Sequence, residues 1–349
     1  MKKVSFLHGK TFSLFSEMLS LDWLSLTGPM SIVSIKGLTK RYGQNLAVDH
    51  LNLDVREGEI LGILGPNGAG KSSTLLMLST IIKPTEGTAE VGGYDIRANP
   101  YKVRELIGIA FQEPKLFWFN TPWQILNWHG KVCGIQNPRQ AAERMLKELN
   151  LWEARNKYSH ELSGGMKKRV EVAKIMIQRP KIAIVDEPTA QIDVAGKYQI
   201  WQMIRALRDE GSTILLATNE LGEADRLSDR VAIVFRGRLR VLDTPRNLKD
   251  SIPGGDVIDV RTENPIEERT MRELGEVPGV VDFSLVNANH MRLYLNRAEK
   301  MLPAIMNRLN DLGVDISSIN MKEPSLDDVF FHYTGEVLAE PDESESASS

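Results

Sequence analysis

The chain has 349 residues, 42% of them apolar and 26% charged, with a formal net charge of −3. That length allows two or three domains with cores of their own, and the charge balance excludes a nucleic-acid binder held by a broad basic field. The one cysteine, Cys133, excludes an internal disulfide, and no apolar run of about eighteen residues predicts a membrane-spanning helix.

Residues 1–29 read as an N-terminal extension. Phe15, Leu19, Trp23 and Leu26 fall at helical spacing and fit an amphipathic helix on a membrane surface or partner. A second reading stays open, in which Met30 is the biological start. Residues 31–36 and Ala47 to Val55 alternate like strands. EILGILG is a continuous apolar strand that runs into GPNGAGKSS, and residues 71–82 follow as an apolar helix. Helices are expected at 121–133, 138–149 and 163–179, the material of a helical subdomain at about 112–178. IAIVD (182–186) and TILLAT (213–218) are too apolar for one-sided sheets and predict buried parallel strands. A helix at 194–209 lies between them, and 231–242 reads as a hairpin turning near Gly237. This is an α/β core over residues 30–250. From 251 to 336 the order βαββαβ predicts a small ferredoxin-like α+β domain, with a last helix capped by Ser325. Residues 337–349 form an acidic, serine-rich tail expected to be disordered.

The chemistry sits in the loop Gly65-Pro66-Asn67-Gly68-Ala69-Gly70-Lys71-Ser72-Ser73. Strand, glycine loop and helix in that order form a phosphate cradle. The glycines let backbone N–H groups point inward, and the helix start adds the positive end of its dipole. Lys71 is placed to reach the β- and γ-phosphates, and the Ser72 hydroxyl to ligate Mg²⁺. Asp186, at the end of a buried strand, supplies the second carboxylate for the metal. Glu187 follows it as a general base for an attacking water. The alternative is an ordinary DEP helix start. Ser163, Gly164 and Gly165 at another helix N-terminus make a second anion site, or else a plain serine cap.

Taken together these segments resemble the ATP-binding cassette family across nearly all of residues 31–245. LTKRYG, GPNGAGKSS, Phe111-Gln112-Glu113, LSGGM, IVDEPTA and Asp193 stand in the family's order. The resemblance implies a P-loop cassette with ATP and Mg²⁺ as ligands. It implies that Tyr42 stacks on adenine and that Gln112 senses the metal and the attacking water. Ser163 to Gly165 would grip the γ-phosphate of ATP held by a second cassette, with Asp193 at the dimer contact. It also implies a separate transmembrane permease subunit and a peripheral place on the cytoplasmic face of the membrane. The aromatic segment Leu116, Phe117, Trp118, Phe119, Trp123 and Trp128 would face that subunit or pack the helical insert. Signature Met166 and the terminal EPSLDDVFFHYTG resemble the daunorubicin-resistance branch of drug and lipid exporters.

Two positions depart from the family. Asn219 stands where a histidine is usual, and an amide cannot become a cation near neutral pH. Gln191 stands where glycine frees the backbone. Both departures favour slowed hydrolysis, or pairing with a different cassette. The competing readings are a regulatory cassette that barely hydrolyses, an importer subunit, and a soluble ATP switch of the translation-factor type.

Overall fold

The computed structural model describes residues 31–338. The expectations for residues 1–29, and for all of the acidic tail beyond Leu338, lie outside the described residues. A six-stranded sheet holds the site, in the order β10-β9-β3-β8-β7-β6. Its strands are β3 (Ile60–Leu64), β6 (Ile107–Ala110), β7 (Ile182–Asp186), β8 (Thr213–Thr218), β9 (Arg230–Phe235) and β10 (Arg238–Asp243). The pairs among β3, β6, β7, β8 and β9 are parallel, and only β10 returns antiparallel. The strands are apolar throughout because both faces are covered. Leu61, Ile63, Ile184 and Leu215 point to one side, and Ile60, Val185, Ile214 and Leu216 to the other.

The first side packs on helix α1 (Lys71–Leu78) and a four-stranded antiparallel sheet. That sheet contains β1 (Ser31–Tyr42), β2 (Asn45–Arg56), β4 (Glu86–Val91) and β5 (Tyr94–Asp95), in the order β2-β1-β4-β5. The second side packs on α3 (Pro122–Val132), α4 (Pro138–Glu148), α5 (Gly164–Gln178) and α6 (Val194–Asp209). A short α2 (Pro100–Leu106) leads into β6. The helix expected at 71–82 stops at Leu78: Thr80 takes a positive φ of 61°, which breaks the helical run.

Register gathers the loops. Leu64 pairs with Thr218, Asp186 with Ala217, and Ala110 with Val185. The loops beginning at Gly65, Asn219, Glu187 and Phe111 therefore leave the same edge of the sheet, the carboxyl edge where α/β sheets bind ligands.

After α7 (Leu221–Leu227) and α8 (Pro245–Asp250), the chain forms a third sheet. Its strands are β11 (Asp256–Thr262), β12 (Val280–Asn287), β13 (His290–Leu295) and β14 (Ile316–Lys322), all pairs antiparallel, in the order β12-β13-β11-β14. With α9 (Glu268–Gly275) and α10 (Ala298–Asp311) covering one face, this is the expected ferredoxin-like βαββαβ arrangement. Helix α11 (Leu326–Thr334) starts in a reciprocal capping box between Ser325 and Asp328. Its Phe330 meets Phe235 edge-on at 6.0 Å, so the last helix packs against the strand preceding the β9–β10 turn.

Candidate active site

A cavity of about 370 Å³ opens at the carboxyl edge of the parallel sheet. It is lined by Asn67 to Ser73, with Tyr42, Asn45 and Ala47 on one side and Gln112 and Glu187 on the other. Two glycines of the loop are sterically required. A Cβ on Gly65 would lie 2.2 Å from the Val234 carbonyl oxygen, and one on Gly70 would lie 2.4 Å from that of Ala47. Gly70 also holds φ at 101°, which turns the chain into α1. No side chain caps the start of α1, leaving its N–H groups to face the cavity.

Lys71 is almost fully buried beneath the loop. Its Nζ donates to the carbonyls of Gly65 at 2.8 Å and Pro66 at 3.1 Å, and lies 3.4 Å from Glu187 Oε1. Burial pulls the ammonium below its usual range, and the Glu187 charge opposes that. Gln112 Nε2 donates to Glu187 Oε2 at 2.7 Å. The glutamine thus contacts the candidate base itself, a pairing the sequence did not indicate. Glu187 holds a left-handed φ of 43°, its N–H bonded to Ala217 O at 2.9 Å. Lys168 was not anticipated either. From α5 it sends a buried ammonium 2.7 Å onto the Glu187 carbonyl oxygen. A lysine five residues beyond Ser163 was the only signal, and helical spacing alone does not say that it points inward.

Asp186 lies next to Glu187 with Oδ1 buried and without a hydrogen-bond partner. Burial raises its pKa, while the Ser72 hydroxyl beside it works the other way. One orphaned carboxylate oxygen next to a hydroxyl is an oxygen pair suited to Mg²⁺, which takes few protein ligands and fills the rest with phosphate and water. Among the described residues no group of three acidic, histidine or cysteine side chains holds a metal by itself.

Tyr42 stands at the rim, 47% exposed, with its hydroxyl 3.5 Å from Ser73 Oγ. Asn219 Nδ2 reaches Asn67 Oδ1 at 3.5 Å, at the cradle's margin. Ser163, Gly164, Gly165 and Asp193 do not line the cavity. Ser163 caps α5, accepting from Met166 N–H at 3.3 Å, and the exposed Asp193 opens α6 without a side-chain cap. Gln191 holds φ at 60°, a conformation that suits glycine.

Trp118 and Phe119 are 65% and 72% exposed. The His160 ring stacks on Trp118 and Tyr158 at 5.5 and 5.7 Å. Trp128 is exposed too, edge-on to Phe117 at 6.0 Å, whereas Leu116 and Trp123 pack against the helical core.

Comparison with known proteins agrees with this geometry. Residues 48–190 match the family described as "ABC transporter", and residues 244–334 match "ATP-binding protein DrrA1-3-like, C-terminal domain". The chain is 34% identical over 310 residues to the daunorubicin resistance ATP-binding protein DrrA3 of Streptomyces coeruleorubidus, covering 87% of this chain and 96% of that one. It is 33% identical over 312 residues to the daunorubicin/doxorubicin resistance ATP-binding protein DrrA of Streptomyces peucetius, covering 88% and 94%. Among solved structures, an ATP-binding cassette dimer in a post-hydrolysis state with ADP and Pi superposes with a TM-score of 0.57. It is 26% identical and covers 61% of this chain and 98% of that one.

Proposed function

The chain belongs to the ATP-binding cassette transporter family, and from that premise we propose that it is the ATP-hydrolysing subunit of a membrane exporter. It works with a separate transmembrane subunit and with a second cassette. The observation that carries the reading is the constellation of Lys71, Gln112, Glu187 and the orphaned Asp186 oxygen around one glycine cradle. Similarity to drug-resistance proteins along most of the chain, including the C-terminal domain, supports export over import.

In this mechanism the loop amides from Asn67 to Ser73 and the start of α1 hold the β-phosphate. Tyr42 offers a ring face to adenine, worth about 1–3 kcal/mol. Ser72 and Asp186 would hold Mg²⁺, which would supply positive charge against the phosphates. Lys71 exchanges the loop carbonyls for the phosphates. Glu187 then loses its lysine contact, takes a proton from water, and is aimed by Gln112. Ser163 to Gly165 close on the ATP of the second cassette, and Asp193 lies at that contact. The exposed aromatics around Trp118 and Phe119 suit contact with the transmembrane subunit, in keeping with a peripheral position on the cytoplasmic face of the membrane. Domain limits at 30–250 and 251–336 fit this division, with the second domain contributing dimer contacts or regulation.

Asn219 and the left-handed Gln191 favour a second reading, a hydrolysis-poor regulatory cassette of a heterodimer. Co-expression with transmembrane subunits tests the proposal. Copurification lost on Trp118→Ala with Phe119→Ala, in a chain of unchanged melting temperature, supports it. Binding to none, or binding indifferent to both substitutions, contradicts it.

A further inference from the structure

A second buried carboxylate lies behind the site and takes no part in the mechanism above. Glu223, in the first turn of α7, is 1% exposed. Its Oε1 accepts from the Thr189 hydroxyl at 2.9 Å and from the Trp201 indole N–H at 2.9 Å. Oε2 is buried as well and has no hydrogen-bond partner.

Each partner belongs to a different piece of the site. Thr189 lies two residues beyond Glu187, in the loop running to α6. Trp201 is on α6 itself. Glu223 itself lies just past β8, whose last residue Thr218 precedes Asn219 and accepts from the Glu220 N–H at 3.0 Å. Glu223 follows Asn219 by one helical turn. A single carboxylate therefore joins the segment that presents the base to the segment that faces Asn67 across the cradle. The base needs such an anchor, because a glutamate at φ 43° stays there only if its surroundings hold it. Its N–H and carbonyl are held by Ala217 and Lys168. Thr189 is the hold on its C-terminal side.

Energetics point the same way. Burial raises the Glu223 pKa, the sign of a group placed at a cost. A well-packed apolar residue would fill the space without it. What a leucine could not supply is an acceptor for two donors, one from the loop after Glu187 and one from α6.

We propose that Glu223 is a positioning residue for hydrolysis, which sets the Glu187 segment against the segment after Asn219 by holding Thr189 and Trp201 on one carboxyl oxygen. The inference rests on the hydrolytic reading above.

The test compares Glu223→Gln, Glu223→Ala, Thr189→Val and the double variant Thr189→Val with Glu223→Ala. Steady-state Mg-ATP hydrolysis, binding of a fluorescent ATP analogue and thermal melting are read for each. Glu223→Ala and Thr189→Val should each lower kcat about ten- to a hundredfold, the scale of a misplaced reacting group, with KM within about twofold. The double variant should be no slower than the worse single one, since both break one link. Glu223→Gln, whose amide oxygen accepts the same bonds, should stay within about threefold of the parent. Wild-type kcat in Thr189→Val, a Glu223→Gln as slow as Glu223→Ala, or additive losses would overturn the proposal. A parent chain that binds ATP without hydrolysing it refutes the hydrolytic reading instead. Amide exchange then decides: Thr189→Val must loosen residues 187–193 and 219–223 together, and unchanged exchange overturns the link.

Discussion

Gly164→Ala separates what the chain needs in order to fold from what a second cassette needs of it. Gly164 is the first residue of α5 and is exposed. An added Cβ meets no atom within 4 Å, and φ lies outside the left-handed region. Gly165 is nearly as free, with Ile192 Cγ2 at 3.6 Å. Neither glycine is required by the fold of one chain, unlike Gly65 and Gly70. Alanine at 164 should therefore stabilise the chain by about 0.4–1 kcal/mol, through a less free unfolded state. That corresponds to a rise in Tm of about 1–3 °C for a protein of this size. ATP affinity of the separate chain should not change, because the cradle does not include this turn. If the turn's backbone closes on the γ-phosphate of a second cassette, a methyl group there costs a charge-assisted bond, about 1.5–3 kcal/mol. Hydrolysis should fall about ten- to a hundredfold. Melting curves, ATP titration, steady-state hydrolysis, and sizing of the same substitution in a Glu187→Gln background give the four readouts. Full hydrolysis with intact ATP-dependent dimerisation would refute the trans contact, and a lowered Tm would refute the claim that the fold leaves this position free.

Gly65→Ala should abolish ATP binding, because its Cβ falls about 1 Å short of the 3.4 Å at which ordinary contact with the Val234 carbonyl begins. Titration with a fluorescent nucleotide checks it. Asn219→His should raise kcat about tenfold by restoring a group able to carry charge. The gain should be largest with the imidazole protonated and fade as pH rises through about 6.5, which a pH profile beside the parent tests. Asp259 is predicted to stabilise the C-terminal domain in a pH-dependent way. Burial alone would raise its pKa, but hydrogen bonds from His290 and Lys322 and the Arg292 charge hold it below the usual aspartate range. That stability is present above the ordinary aspartate pKa and is lost as pH falls through the lower folded-state one. Asp259→Asn should cost about 3–5 kcal/mol at neutral pH, and the gap to the parent should close in acid denaturation.

The parallel core was legible because β7 and β8 are apolar runs that only a sheet covered on both faces accommodates. The C-terminal domain was legible because its helices and strands differ in period and alternate cleanly. Residues 86–110 were not read. Short β5 and β6 and the seven-residue α2 give too few turns or alternations to show a period. In the site, loop chemistry pointed to Lys71, Asp186 and Glu187, since glycines and carboxylates at strand ends have few other uses. The contacts of Gln112 with Glu187, and of Lys168 with the Glu187 carbonyl, were invisible. They join residues 75 and 19 positions apart through tertiary packing that no local pattern encodes. Glu223 was hidden for the same reason. On a short, mostly polar helix, nothing in the sequence separates a buried carboxylate from a solvated one.

Steady-state phosphate release by the purified chain, beside Glu187→Gln, asks whether the cradle hydrolyses ATP with Glu187 as its base. We expect slow Mg²⁺-dependent turnover in the parent and a loss of at least about a hundredfold in the variant, with ATP binding retained. Equal turnover in both, or binding without any turnover in the parent even beside its transmembrane subunit, would contradict it.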